Sequence, residues 1–566
     1  MKKRIVSFLI TIVLLSNYFP AMAADSDFSD VPANHWAAEY ISRATQLGLI
    51  NGMGSGLFGV GQNVTRAQFA ALLVRLFGWE PVMPEEPSFT DNDDTSEWYY
   101  SVIETAVANG AVLKDGETFR PDDDITREDM AVMLVRALGY DLLASSAADY
   151  GLPFMDVTRN IGYITLAYDF GMINGMTGTA FEPNGYATRE QAATIIIRMY
   201  DKYSAQIDWL HAFYAIASYS QADSIPDMDA LSFGWSKLEY TTAGGVCLNT
   251  TTAGGNEFYI PSGYSSVVKI VQDSAVPANL NIYMSTSQTV MTSDGTTSDP
   301  CREILLDPEN RAAATAQITS QLQTYPFLSG VTIDFEGMSG DDLKAGLTAF
   351  LKELRASMDD LGKTIYVCVP PVVSDGQYFD AYDYRAIGEY SDKVILMAHD
   401  YQATYMPANL MDAGFTTTPL TPINEVYYAL KAITDPDTGV QDADKIALAI
   451  SFNTEQWQLQ DGKVINATPY HPDTESVYGR LADSDTTMNY SKRYENPYLA
   501  FYNSADDTQN VLWYEDERSI AAKISLAHMF GVNGVSIWRL GLIPDYADGS
   551  GRDIYFDALD MLVHGK

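Results

Sequence analysis

Apolar residues recur every three or four positions through the first third of the chain, then gather into runs of four to eight. Phe69, Leu72, Leu73 and Leu76 show the first pattern, the i, i+3, i+4, i+7 stripe of a helix with one buried face. The segment around them occurs three times, beginning at Phe28, Phe89 and Phe154. Each copy reads as helix, glycine-rich loop, helix. Gly48, Gly110 and Gly171 end the first helices, as C-cap glycines do. Thr65, Thr126 and Thr188 open the second. Thr65 to Gln68 and Thr188 to Gln191 have the form of capping boxes, and Thr126 to Asp129 is a looser version. An arginine follows each threonine: Arg66, Arg127 and Arg189. These Thr-Arg pairs either cap helices only, or add an anion site, with a guanidinium fork beside free backbone N–H groups.

After a short connection near residues 204–208 the pattern changes. Apolar runs start at His211, Ala230, Leu280, Gly330, Thr364, Lys393, Lys445 and Gly534, with helical patterns such as 341–358 and 519–530 between most of them. Eight strands alternating with helices predict an α/β fold, a (β/α)8 barrel with insertions. A doubly wound open sheet is the alternative. The longest insertion, roughly 453–510, falls between strands seven and eight. It is rich in Tyr, Asn, Asp and Ser and belongs on the face where barrel enzymes place their chemistry.

The fourth run, SGVTIDFEGM from Ser329, contains two acids where burying charge costs several kcal/mol. Strand alternation puts Thr332, Asp334 and Glu336 on one face and Val331, Ile333 and Phe335 on the other. In a barrel the first set faces inward, with Glu336 at the C-terminal mouth. A salt-bridged core acid is the structural alternative. Two neighbouring carboxylates resist joint ionisation, so one becomes a general acid near neutral pH. Residues two apart on a strand are about 7 Å apart. That sets the acids side by side rather than on opposite faces of a sugar ring, and fits a reaction whose substrate supplies its own nucleophile.

Composition narrows the partners. The formal net charge is −39, which excludes a basic nucleic-acid-binding face and disfavours anionic membranes. Lys2, Lys3 and Arg4, an apolar run from Ile5 to Leu15, and Ala21-Met22-Ala23 read as a secretory signal, residues 1–23. No later stretch approaches the ~20 apolar residues of a membrane span. Cys247, Cys301 and Cys368 make no disulfide framework and no C-x-x-C pair, and no ligand cluster implies a metal or organic cofactor.

The three repeats resemble S-layer homology (SLH) modules, through "FSDV…HWA", the glycine loop and "TRAQ". The resemblance implies modules at 24–85, 86–150 and 151–208 (the last with a linker) that bind secondary cell-wall polysaccharide. Arg66, Arg127 and Arg189, with Trp36 and Trp98, are the matching binding residues. Gly162 stands where the third tryptophan would fall.

Residues 209–566 resemble glycoside hydrolase family 18, closest to its spore-cortex and peptidoglycan-lytic N-acetylglucosaminidase branch. Its fourth-strand motif D-x-x-D-x-D-x-E is met by Asp334 and Glu336, while Ser329 and Thr332 replace the two upstream acids. The resemblance implies that the 2-acetamido oxygen of N-acetylglucosamine attacks the anomeric carbon. Glu336 then protonates the glycosidic oxygen and later activates water, and Asp334 orients the acetamide. "LMAHDY" is similar to the family's M-x-Y-D, so Met397, His399 and Asp400 are expected at the substrate, with His399 in the tyrosine's place and Tyr401 as a substitute hydroxyl. Trp538 matches the tryptophan that floors the sugar site. The expectation is a secreted, wall-anchored retaining glycosidase of a Gram-positive-type surface. It would cut β-1,4 bonds next to N-acetylglucosamine in peptidoglycan or chitin. The competing class is a non-catalytic, lectin-like surface-layer protein.

Overall fold

The computed structural model describes residues 28–292, 294–373, 380–546 and 551–564; the expected signal, residues 1–23, lies outside them. Two compact units emerge: residues 28–133 with 184–197, and residues 134–183 with 198 onward.

In the first unit the repeats are closed on one another through their backbones. The N–H of Val64 donates to Ala187 O at 3.0 Å, that of Ile125 to Val64 O at 3.0 Å, and that of Ala187 to Ile125 O at 3.4 Å. A second ring lies one step along. Arg66 N–H donates to Asp123 O, Arg127 N–H to Gly185 O and Arg189 N–H to Gln62 O, each at 2.9 Å. Helix starts leave backbone donors without partners inside their own helix. Here the next repeat accepts them, so each copy needs the other two. The capping box at Thr65 is complete, with Gln68 N–H donating to Thr65 Oγ1 and Thr65 N–H to Gln68 Oε1.

The second unit is built on a closed parallel barrel. Its strands are β1 Trp209–Tyr214, β2 Ala230–Thr241, β3 Ala278–Ser285, β4 Gly330–Glu336, β5 Thr364–Val369, β6 Lys393–Leu396, β7 Ile446–Ser451 and β8 Gly534–Trp538. Each pairs with the next, and β1 pairs with both β8 and β2, which closes the ring and rules out the open sheet. All eight runs read from the sequence become barrel strands. The insertion after β7 folds into a five-stranded antiparallel sheet between Glu455 and Trp513, with the helix Thr474–Ala482. Val477, Leu481, Leu499, Phe501 and Leu512 form its core. Among the described residues no helix is long and apolar enough to cross a membrane.

The third repeat is divided. Its first helix, Ile161–Asp169, belongs to the barrel unit, whereas most of its second, Arg189–Tyr203, starts in the first unit. The cause is local packing: Asp169 accepts hydrogen bonds from Tyr427 Oη and from Lys431 Nζ, the latter at 2.8 Å, and Phe170 packs edge-on against Tyr427 and Phe530.

Alternation on β4 is as read. Val331, Ile333 and Phe335 are buried toward the helices, and Phe335 meets Phe350 of helix Asp341–Leu361 with ring centroids 5.5 Å apart. Thr332 points into the barrel, where a neutral polar ladder crosses the floor. Thr332 Oγ1 lies 2.6 Å from Ser232 Oγ, which lies 2.7 Å from His211 Nε2; His211 Nδ1 lies 2.8 Å from Ser536 Oγ. Burial drives the His211 imidazole down to about 3, so this ladder carries no charge at neutral pH.

Behind β7, Lys523 Nζ and Glu515 Oε2 form an ion pair at 2.6 Å with both side chains almost fully buried. Ser519 also donates to Glu515. Lys523→Met strands the carboxylate, with an expected loss of about 3–5 kcal/mol in urea unfolding near neutral pH. Burial already holds the Glu515 carboxyl above its usual range. A carboxyl raised in the folded state favours folding when protonated, so the deficit should shrink as pH falls toward the unfolded range. An equal deficit at about pH 5 and about pH 7 would argue against a buried charge as its source.

Candidate active site

Asp334 and Glu336 meet at the barrel mouth because β4 ends there with its inward face toward β3 and β5. The register sets Tyr283 of β3 beside Asp334 and Ser285 beside Glu336. A pocket of about 480 Å3 opens over Glu336, lined by Tyr283, Ser285, Thr286, Pro370, Tyr382 and Met397. Asp334 is 5% exposed. Its Oδ2 accepts from Asn281 Nδ2 at 3.2 Å, and its buried Oδ1 has no protein partner. Tyr283 Oη donates to Glu336 Oε2 at 3.4 Å.

Burial and then the charge of Glu336 push the Asp334 carboxyl well above its usual range. Burial does the same for Glu336, opposed by the Tyr283 hydrogen bond and by His399. The pair therefore holds one proton between its members near neutrality. Asn281 and the Cys368 thiol partly offset the rise at Asp334. They come from the flanking strands β3 and β5, and take the place of support from along β4. Thr332 is tied to Ser232 below, and Ser329, at the strand's start, accepts from Ala278 N–H at 3.2 Å.

The residues after β6 arrive at the same mouth. Met397 lines the pocket. His399 Nδ1 lies 2.9 Å from Asp400 Oδ2. Burial raises the Asp400 carboxyl, but His399 and hydrogen bonds from His399, Ser451 and Asn453 hold it below the usual range overall. Tyr401 turns elsewhere: the charges acting on its buried hydroxyl are Glu425 and Tyr384 rather than the acid pair. Trp538 packs against Phe213 at 5.2 Å, within the cluster that includes Tyr366, Cys368 and Met397. Tyr283, Asn281, Cys368 and Tyr382 were not singled out in the sequence. Alternation along β3 and β5 marks the first three as sharing inward faces, but which of them adjoin Asp334 depends on register. Among the described residues no group of three His, Cys, Asp or Glu is placed to hold a metal ion.

The arginines of the first unit brace one repeat against another. Arg66 Nε donates to Phe119 O at 2.8 Å, its Nη1 to Asp129 Oδ2 at 2.5 Å, and its guanidinium lies 5.0 Å from the Phe119 ring centroid. Arg189 repeats this on Phe58, with Nε to Phe58 O at 2.9 Å, and adds Nη2 to Asn51 O at 2.8 Å. Arg127 is buried. Trp36 and Trp98 are more than half exposed. Trp98 borders a groove of about 290 Å3 with Asn51, Met53, Gln68, Arg75 and Arg189. At the third position only glycine fits: a Cβ on Gly162 would lie 1.6 Å from Ala144 O of helix Asp141–Ala147.

Residues 284–542 match the family described as Glycosyl hydrolases family 18, and residues 27–70, 88–131 and 153–193 match the S-layer homology domain. The chain is 32% identical over 205 residues to an amylopullulanase of Thermoanaerobacterium thermosulfurigenes, covering 34% of this chain and 10% of that protein. It is 28% identical over 251 residues to the cortical fragment-lytic enzyme of Bacillus subtilis, covering 43% of this chain and 54% of that one. It thus spans a tenth of the first relative's length and about half of the second's. The crystal structure of the Bacillus cereus spore cortex-lytic enzyme SleL is 15% identical, with 86% of this chain and 97% of that chain covered at a TM-score of 0.49.

The coupling of the two acids is open to direct measurement. Because the Glu336 charge raises Asp334, Glu336→Gln should move the Asp334 titration to lower pH in carboxyl difference infrared spectra. An unmoved Asp334 band would show that the two do not interact.

Proposed function

In a chain that carries a glycosyl hydrolase family 18 domain behind three S-layer homology domains, we propose that the barrel is a retaining glycosidase. It cleaves β-1,4 bonds next to N-acetylglucosamine and is held at the bacterial cell wall by the repeats. The observation that carries this reading is the buried acid pair at the barrel mouth, with Asp334 Oδ1 free of any protein partner. An acetamide N–H is a fitting donor for that oxygen. Asp334 then orients the acetamide so that its own carbonyl oxygen attacks the anomeric carbon, and bears the negative charge opposite the oxazolinium cation. Glu336, whose carboxyl burial raises above its usual range, gives a proton to the departing glycosidic oxygen. As a carboxylate it next takes a proton from the water that opens the oxazolinium, which restores the starting configuration. Trp538 and Met397 supply apolar surface for the sugar ring at the floor of the mouth.

Peptidoglycan is the favoured substrate over chitin. The anchor would tether the enzyme to a wall made of it, and one of the relatives is named as a cortical fragment-lytic enzyme. The repeats would hold secondary cell-wall polysaccharide. Trp98 and Arg189 share one groove, and the guanidinium of Arg189 combines an inter-repeat brace with a cationic edge for an acidic sugar. Gly162 takes the third repeat out of this role, because helix Asp141–Ala147 covers the place of its aromatic.

Turnover of chitooligosaccharides and purified peptidoglycan is expected for the wild type, and a drop of at least about 100-fold for Glu336→Gln. Equal activity in the two would remove the catalytic assignment, and binding without turnover by the wild type would favour the lectin. For the anchor, Trp98→Ala is a cleaner probe than the bracing arginines. It should reduce co-sedimentation with cell walls and leave hydrolysis of soluble oligosaccharides unchanged; undiminished sedimentation would count against the groove.

A further inference from the structure

β2 continues past its last pairing with β3, at Lys237, to Thr241, and the strand Gly245–Asn249 returns antiparallel beside that end. One register row crosses four strands: Asn249 pairs with Lys237, Lys237 with Tyr283, and Tyr283 with Asp334. The segment after Asn249 folds around two buried amides. Asn249 Nδ2 donates to Glu239 Oε2 at 3.1 Å and to Ala253 O at 3.0 Å. Asn256 Nδ2 donates to Thr251 O at 2.9 Å and to Phe258 O at 2.6 Å, and Asn256 Oδ1 accepts from Phe258 N–H at 2.9 Å. Phe258 is therefore held by its own N–H and carbonyl. Its ring lies flat on Tyr283, with centroids 4.5 Å apart and 17° between the planes. The Tyr283 hydroxyl ends 3.4 Å from Glu336 Oε2, and among the described residues it is the side chain at hydrogen-bond distance from that acid. The other titratable groups around Glu336 are Asp334 on its own strand, Cys368 of β5, Tyr382 and His399. On the β2 side of Tyr283, Lys237 and Glu239 pair with each other at 3.6 Å.

We propose that Tyr283 and Phe258 are positioning residues for Glu336: the stacked rings fix the hydroxyl, and the hydroxyl holds Oε2, which leaves Oε1 for the glycosidic oxygen. This rests on the role given to Glu336 above. The terminal torsion of a glutamate is broad and nearly two-fold, so a carboxyl at a pocket edge turns freely unless a donor selects one orientation. Tyr283 is that donor. With one face of its ring covered by Phe258, it cannot swing away from the acid without breaking the stack. The orientation of the acid is thereby set by a loop outside the barrel, the segment from Asn249 to Phe258.

Carboxyl infrared titration tests this without substrate, so its outcome is separate from that of the glycosidase reading. In an Asp334→Asn background Glu336 titrates without its partner, and a further Glu336→Gln identifies its band by difference. Removing a donor from a carboxylate raises that carboxyl. Tyr283→Phe, which keeps the ring and the stack, should therefore move Glu336 to higher pH by about half a unit. Phe258→Ala, which frees the Tyr283 ring, should move it the same way, and Phe258→Tyr, which keeps a stacking ring, should leave it in place. The double variant Tyr283→Phe with Phe258→Ala separates the routes. If Phe258 acts through the hydroxyl, the double variant matches Tyr283→Phe alone. An unmoved Glu336 in Tyr283→Phe, or a further move when Phe258→Ala is added to it, overturns the proposal. With Asp334 restored and enzyme turning over, Tyr283→Phe should lower the plateau kcat about tenfold and leave KM within about twofold. The alkaline limb of its kcat profile should shift upward, because Glu336 keeps its proton to higher pH. A raised KM with unchanged kcat would make Tyr283 a substrate contact and overturn the positioning role. Infrared shifts as expected in a protein that hydrolyses nothing would sink the glycosidase reading and leave this assignment standing.

Discussion

Two carboxylates on adjacent inward positions of one buried strand set the terms for the barrel mouth. Among the described residues the side chains that donate to Asp334 and Glu336 at hydrogen-bond distance are the neutral Asn281 and Tyr283, and both acids are raised by burial. Such a pair is stable in one state, with a single proton, and everything packed around it must suit that state. Neutral donors meet the condition: the amide of Asn281, the hydroxyl of Tyr283 and the thiol of Cys368. A fully ionised pair would need buried cations, and a fully protonated one would need further acceptors. The floor below follows the same rule, since His211 is kept neutral between two serines. The barrel interior is therefore polar but nearly uncharged, and the charge is concentrated where a ligand can reach it.

The same demand for satisfied polar groups shapes the repeats. Each second helix starts with N–H groups that its own repeat leaves without acceptors. The cyclic bonds among Val64, Ile125 and Ala187, and among Arg66, Arg127 and Arg189, resolve this only when three copies close on each other. Their arginine side chains add a second layer of closure by capping carbonyls at Phe119 and Phe58. A residue type first noted as a cap or an anion site is thereby built into the joints between repeats. Ligand binding in such a groove and folding of the unit draw on the same guanidinium, which is why the exposed Trp98 reports binding more cleanly than the arginines do.

The eight barrel strands and their order were legible because each is a short apolar run between helical patterns, and a closed ring needs only local periodicity and alternation of elements. The inward placing of Asp334 and Glu336 followed from period-two geometry alone. The reach of the insertion to Trp513 was nearly legible, since its composition changes at the end of β7. Tyr401 shows the limit. It follows Asp400 directly, yet the left-handed turn at Asp400 and the bond from its own N–H to Leu420 O carry its ring toward Glu425 and Tyr384. Adjacency in the chain says little about direction after a turn.

Sequence by itself determined the helical repeats, the alternating strand and the acid pair's shared face, because these depend on spacing along one segment. It also exposed the missing acids at positions 329 and 332. Tertiary structure alone decided which groups stand beside the pair instead: Asn281 and Cys368 from the flanking strands. It likewise decided that Gly162 sits under Ala144 and that Arg189 reaches Phe58. The reason is physical. A side chain's period is a property of its own element, but its charge state and its partners are set by groups that register and packing bring near from distant parts of the chain.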